Sequence, residues 1–183
     1  MTTAATDHRE TAAHFTELVR GTTDWSAPAP VPDWTARDVV RHLIEWLTSF
    51  VRSGSGITLP AGPSVDTDPV AAWESHAAAV QALLDDPASA DVMFTNQHTG
   101  SMPLPDAIAM FYTSDVFLHS WDLARATGQD ERLDPDRCAA MFTGMLPMDA
   151  VLRTSGQYGP RVDVPDDADP QTKLLAFIGR DPR

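Results

Sequence analysis

The sequence predicts an all-α protein: a four-helix bundle followed by additional short C-terminal helices. Three observations carry this. Apolar residues recur at helical spacing in the second and fourth long segments. The pairs Asp68-Pro69, Asp134-Pro135 and Asp169-Pro170 each set an N-cap acid before a proline suited to the first helical position. Nothing in the chain alternates strands with helices, as a parallel sheet would require.

The first helix is expected over Thr6–Val19. The second, Ala36–Arg52, opens on Thr35 with Asp38 three residues later, a capping-box spacing. The third is expected over Pro69–Leu84. The fourth, Leu104–Thr127, ends where Gly128 supplies a C-terminal glycine. The fifth, Pro135–Arg153, is divided by Pro147 into two short pieces. The last, Pro170–Ile178, closes at Gly179. Pro- and Gly-rich connections, "SAPAPVP" and "GSGITLPAGPS", separate the early helices. Val92–Thr95, followed by "NQHTG", reads equally as a short hairpin or a loop. A long irregular link, "YGPRVDVPDDADP", precedes the final helix.

With 183 residues, 43% of them hydrophobic, the chain has enough apolar material for one real core, and one domain over 1–183 is the expectation. The net charge of −13 argues against a nucleic-acid surface and against an anionic membrane face. No apolar run is long enough to span a bilayer, and "MTTAATDHRE" lacks the pattern of a signal peptide, so the expectation is a cytoplasmic protein. Cys138 is the single cysteine, which excludes an internal disulfide and a CxxC zinc site. Arginine outnumbers lysine twelve to one, a codon bias that suggests a high-GC bacterial source.

The fourth helix raises a chemical question. At 100° per residue, Ile108, Phe111, Tyr112, Asp115, Leu118, His119, Asp122 and Ala126 share one stripe. Asp115 and His119 stand on consecutive turns near its middle. A carboxylate buried without a partner is costly, so something must compensate it. One answer is a hydrogen-bonded Asp–His pair that ties helices together. The other is a pair of metal ligands, because helix bundles build metal sites from inward carboxylate and histidine. A third ligand is available on the second helix. Its apolar stripe is Val39, Val40, Leu43, Leu47, Phe50 and Val51, and His42 lies at the edge of that stripe on the same side as Trp46. The remaining histidines carry less. His8 and His14 do not share a helix face, His76 covers the third helix, and His98 is solvated in a turn. Trp34, Trp46, Trp73 and Trp121 read as core or pocket wall.

The segments "WTARDVVRHLIEW", "SDVFLHSWDLARATGQD" and "KLLAFIGRDP" resemble the DinB-like metal-binding superfamily. The branch they are most similar to is the actinobacterial one related to the N-terminal domain of mycothiol-dependent maleylpyruvate isomerase. The resemblance runs through nearly the whole chain in order. It implies a DinB-like four-helix bundle with a divalent metal at one end, zinc or nickel. The implied ligands are His42 on the second helix and the four-spaced pair Asp115 and His119, with Asp115 standing where the family usually carries His or Glu. It further implies mycothiol or another low-molecular-weight thiol as co-substrate and a small electrophilic molecule as substrate. In a metal- and thiol-using site Trp46 and Tyr112 would wall the pocket, and Arg125 would either bind a carboxylate of thiol or substrate or pair with a surface acid at the helix C-terminus. About fifty residues follow Gly128, fewer than the additional C-terminal domain of the isomerase, so maleylpyruvate isomerisation itself is not expected. The resulting expectation is a metal-dependent thiol transferase or isomerase, with a non-catalytic metal- or ligand-binding protein as the alternative. A homodimer stays open.

Overall fold

The computed structural model describes residues 2–97 and 100–183. The protein is mostly helical, with one two-stranded sheet among the described residues. Helix α1 spans Ala4–Gly21, α2 Ala36–Ser55 and α3 Pro69–Asp85. A hairpin follows, β1 Met93–Asn96 paired antiparallel with β2 Gly100–Pro103, with Phe94 opposite Met102. Of the two readings of the Val92–Thr95 segment, the hairpin is therefore the observed one. His98, expected in a solvated turn, falls outside the described residues.

The fourth long helix runs end to end through three segments: α4 Leu104–Ala107, a π-helical stretch Ile108–Thr113, and α5 Ser114–Thr127. Its limits agree with the sequence, but its interior does not follow a uniform 100° step. A π turn carries one extra residue and shifts the phase of everything beyond it. Pro147 does divide the fifth helix: α6 Pro135–Met145 and α7 Asp149–Thr154 are joined by a 3₁₀ turn, Leu146–Met148. The last helix, α8, spans Pro170–Phe177.

The start and stop signals act as their chemistry requires. Thr35 and Asp38 form a reciprocal capping box on α2. Asp68, Asp134 and Asp169 each accept a backbone N–H of the first turn of α3, α6 and α8. Gly128 closes α5 in the left-handed region, φ 67°, where a side chain would be strained.

Two cores share α5. Helices α1, α2, α3 and the 104–127 helix enclose the first, centred on Phe15, Val40, Leu43, Leu47, Trp73 and Ile108. On the other side of α5, Phe117, Leu118 and Trp121 pack with Leu133 and Cys138 and with Leu174, Leu175 and Phe177 of α8. Residues Val116–Ala124 are consequently buried all round. A helix apolar on one stripe and on its back is a helix between two layers. No helix among the described residues is long and apolar enough to cross a membrane.

Candidate metal centre

His42, Asp115 and His119 meet at the seam between α2 and α5. One ligand atom from each lies within 4.8 Å of the others, and no further such group of three His, Cys, Asp or Glu occurs among the described residues. The sequence explains the meeting. Val39, Val40, Leu43 and Leu47 are completely buried on one face of α2. That places His42 at the margin of the buried face, half-exposed and aimed across the seam. The four-residue step puts Asp115 and His119 on the same side of α5.

The carboxylate stands between the imidazoles. His42 Nε2 is 3.1 Å from Asp115 Oδ2, and His119 Nε2 is 3.5 Å from Asp115 Oδ1. The two histidine rings are 4.9 Å apart between centroids. Trp34 roofs the pair, 4.9 Å from His42 and nearly parallel to His119 at 5.8 Å. Trp46 stands edge-on to His42 at 6.4 Å.

Behind His119 runs a buried charge chain. His119 Nδ1–H donates to Asp122 Oδ2 at 2.8 Å. Arg180 then grips Asp122 with two N–H donors, Nε to Oδ1 at 2.7 Å and a terminal nitrogen to Oδ2 at 2.9 Å. Asp122 is 1% exposed, so this bidentate pair compensates a carboxylate that water does not reach. The chain fixes the ring: with Nδ1 donating to Asp122, Nε2 of His119 is the nitrogen that faces Asp115 and can exchange a proton for a cation. A ligating histidine held by a carboxylate in this way is the usual supporting arrangement of metal sites.

Burial alone would depress the His119 pKa. The charge of Asp115 and the hydrogen bond and charge of Asp122 outweigh it, and the net shift is upward. Asp122 moves the other way. Burial pushes its pKa up, but the hydrogen bonds from His119 and Arg180 prevail, and it stays a carboxylate. The donor set therefore suits a cation, which would take the place of protons between the three side chains. Two imidazoles and one carboxylate are a set that zinc accepts.

The other expected residues are distributed differently. Trp46 is partly exposed beside His42. Tyr112 is 0% exposed and lies behind Trp46, their rings 6.0 Å apart, so it backs the wall rather than facing solvent. Arg125 is occupied. It binds Glu131 at 2.9 Å and donates to the carbonyls of Pro182 and Arg183, with its guanidinium over Trp121. A cleft of about 420 Å³ bordered by Glu10, His14, Phe117 and Arg137 includes none of the three donor residues.

Sequence reasoning missed Arg180, Asp122's role and Trp34's position over the centre. Asp122 was visible on the inward stripe and lacked a named partner, which was the one signal available. His76 does not cover α3 from outside: it is 5% exposed and packs on Tyr112.

Residues 8–124 match the family described as the mycothiol maleylpyruvate isomerase N-terminal domain. Two proteins of Mycobacterium tuberculosis are similar to the chain, Rv0738 of strain ATCC 25618 / H37Rv and MT0763 of strain CDC 1551 / Oshkosh. Both bear the name "uncharacterized protein", and each is 30% identical over 163 residues, covering 84% of this chain and 83% of its own length. No solved structure matches the chain.

Proposed function

Because the chain belongs to the mycothiol maleylpyruvate isomerase N-terminal domain family, we propose that it is a divalent-metal-binding bundle that activates a low-molecular-weight thiol against a small electrophilic substrate. The observation that supports this most is the trio His42, Asp115 and His119, with ligand atoms within 4.8 Å, backed by the Asp122–Arg180 pair. The cation, zinc or nickel, would supply Lewis acidity that lowers the pKa of a thiol and makes thiolate available near neutral pH.

The chain's own residues have separate tasks in this reading. His42 and His119 offer neutral nitrogens, and Asp115 offers a charge that offsets part of the cation's. Asp122 keeps the proton on His119 Nδ1, and Arg180 keeps Asp122 ionised. Trp34 and Trp46 restrict water at the mouth and give an apolar wall to a small substrate. Tyr112 stiffens Trp46 from behind. Arg125 steadies the C-terminal residues through their carbonyls, and reaches a substrate carboxylate only by giving up Glu131.

The thiol has to come from solution. Cys138 is buried among α6 and α8, and burial pushes its pKa up to about 11, so it is a packing residue and a poor nucleophile. Attack of an external thiolate on an electrophilic carbon gives either thiol transfer or, by addition and elimination, isomerisation. The absence of a disulfide partner for Cys138 and the acidic surface fit a cytoplasmic setting and a small-molecule partner in place of nucleic acid.

The test has two stages. Protein purified without chelator is analysed for metal, then assayed for loss of free thiol with an electrophilic acceptor, with and without zinc or nickel. Metal-dependent thiol consumption that His119→Ala lacks is the expected result. Protein that stays metal-free after soaking with both ions overturns the reading. Metal binding without thiol chemistry reduces it to a binding protein.

A further inference from the structure

We propose that His8, His76 and Tyr112 enclose an internal hydration site in the bundle core, one helical turn from Asp115. The three side chains come from α1, α3 and the π-helical segment. They are 1%, 5% and 0% exposed. Each carries a buried polar atom with no hydrogen-bond partner among the described residues: His8 Nε2, His76 Nε2 and Tyr112 Oη. Their rings touch. His8 lies nearly parallel to Tyr112 at 6.1 Å, and His76 stands edge-on to it at 5.8 Å. A single unpaired group is tolerable in a core, but three on contacting rings call for a common partner.

Donor and acceptor roles identify that partner. Gln81 gives its amide N–H groups to Ala5 O and Asp85 Oδ1, which turns its Oε1 toward His8 Nδ1 at 2.8 Å. His8 Nδ1 must then be the N–H, and Nε2 is a bare acceptor. Tyr112 contributes an O–H donor and lone pairs. Burial keeps that phenol protonated and keeps both imidazoles neutral. One set member accepts, another donates, and all are uncharged, which matches water, able to donate twice and accept twice. A cation fits worse, because the protonated phenol adds no charge to offset it. The proposal stands apart from the metal reading, since none of its three residues belongs to the ligand trio.

The test uses metal-free protein, so its failure does not touch the thiol chemistry. High-resolution crystals should show at least one ordered water within hydrogen-bond reach of His8 Nε2 and of one other member. Nitrogen NMR of labelled histidine should find His8 protonated at Nδ1. Tyr112→Phe keeps the ring and removes the hydroxyl. A hydrated site loses a water partner, and the melting temperature should fall by about 2–8 °C. A dry core would instead be relieved of an unpaired hydroxyl. Unchanged or raised melting overturns the proposal, as does density showing a dry contact or a metal ion. Should the variant fail to fold, the wild-type density decides alone.

Discussion

Helix α5 has two neighbours of opposite character. The bundle side buries His8, His76 and Tyr112 in its interior, and at its seam His42 of α2 meets Asp115 and His119 of α5. The α6–α8 side is packed almost wholly from apolar groups, Leu133, Cys138, Leu174, Leu175 and Phe177 against Phe117 and Trp121. Its most deeply placed charged contribution is Arg180, which reaches the buried Asp122 at the edge between the two sides. The family match ends at residue 124, before that second side begins. The lesson is a division of labour. One side gathers the buried ionisable groups, and the other supplies an apolar scaffold that reaches them through Arg180 and reaches α1 through the Arg137–Asp7 pair.

The sharpest way to break this comparison is His119→Ala. In wild type, added zinc or nickel should raise the melting temperature by mass action, and in the variant the rise should vanish. Metal-free variant should still fold, losing about 1–3 kcal/mol, because apolar burial across several helices carries the stability. Calorimetry with and without metal checks both. A variant that still gains stability from metal would place the ion elsewhere.

Arg180→Ala tests the second side. It removes the bidentate partner of the Asp122 carboxylate, 1% exposed, leaving only the His119 hydrogen bond, and should cost about 3–5 kcal/mol in denaturant titration. Metal affinity should fall about 10–100-fold, because His119 loses its fixed tautomer. A variant with undiminished affinity would make Arg180 purely structural.

Acidification separates the two sides without mutation. All six histidines precede residue 120, so histidine titration acts on the bundle. Burial lowers the His76 pKa from 6.5 to about 4. The unfolded chain takes up a proton below pH 6.5 and the folded one only near 4. Stability from keeping His76 neutral is therefore complete above pH 6.5 and is lost as pH falls toward 4, by about 3 kcal/mol. His8, also lowered, adds in the same direction. His119 opposes them in metal-free protein: its raised pKa favours folding at low pH, and that contribution is lost as pH rises through the folded value. Hydrogen exchange between pH 6.5 and 4 should loosen α1 and α3 before α6 and α8. His76→Phe should flatten the profile.

The smallest effect is expected from Arg125→Ala. Its pair with Glu131 is about one-third exposed on both sides, so the loss should stay below about 1 kcal/mol, with metal affinity unchanged. A clear drop in thiol turnover with intact metal binding would instead give Arg125 a substrate role.

The sequence disclosed what is local. Helix ends were readable because caps act within one turn: Thr35 with Asp38, three Asp-Pro pairs, and Gly128. The meeting of His42, Asp115 and His119 was readable because ionisable groups stand out in or beside an apolar stripe, and the family resemblance joined His42 to the pair. Arg180 was not readable. It lies 58 residues from Asp122, and no local spacing links them. The π turn leaves no mark in composition, since it is a change of hydrogen-bond partner. His76 sits in an alanine-rich helix whose small neighbours let it sink inward, a result of packing with Tyr112 that helix periodicity does not contain. The second core had a signal in Phe117 and Trp121, large apolar residues off the inward stripe.

The wide turn at Ile108–Thr113 makes chain length at this point a phase setting. Upstream of it, Leu104 and Ala107 anchor in the bundle core, and downstream Asp115 and His119 face α2. Each residue of α-helix turns the chain by about 100°. Deleting one residue from this stretch would close the wide turn to regular helix with both halves in phase, whereas adding one more would swing one half against the other by roughly that angle. Either the anchors leave the core or the donor pair turns away from His42. Surface loops tolerate insertions and deletions; here a single added residue would act like a gear slipping one tooth.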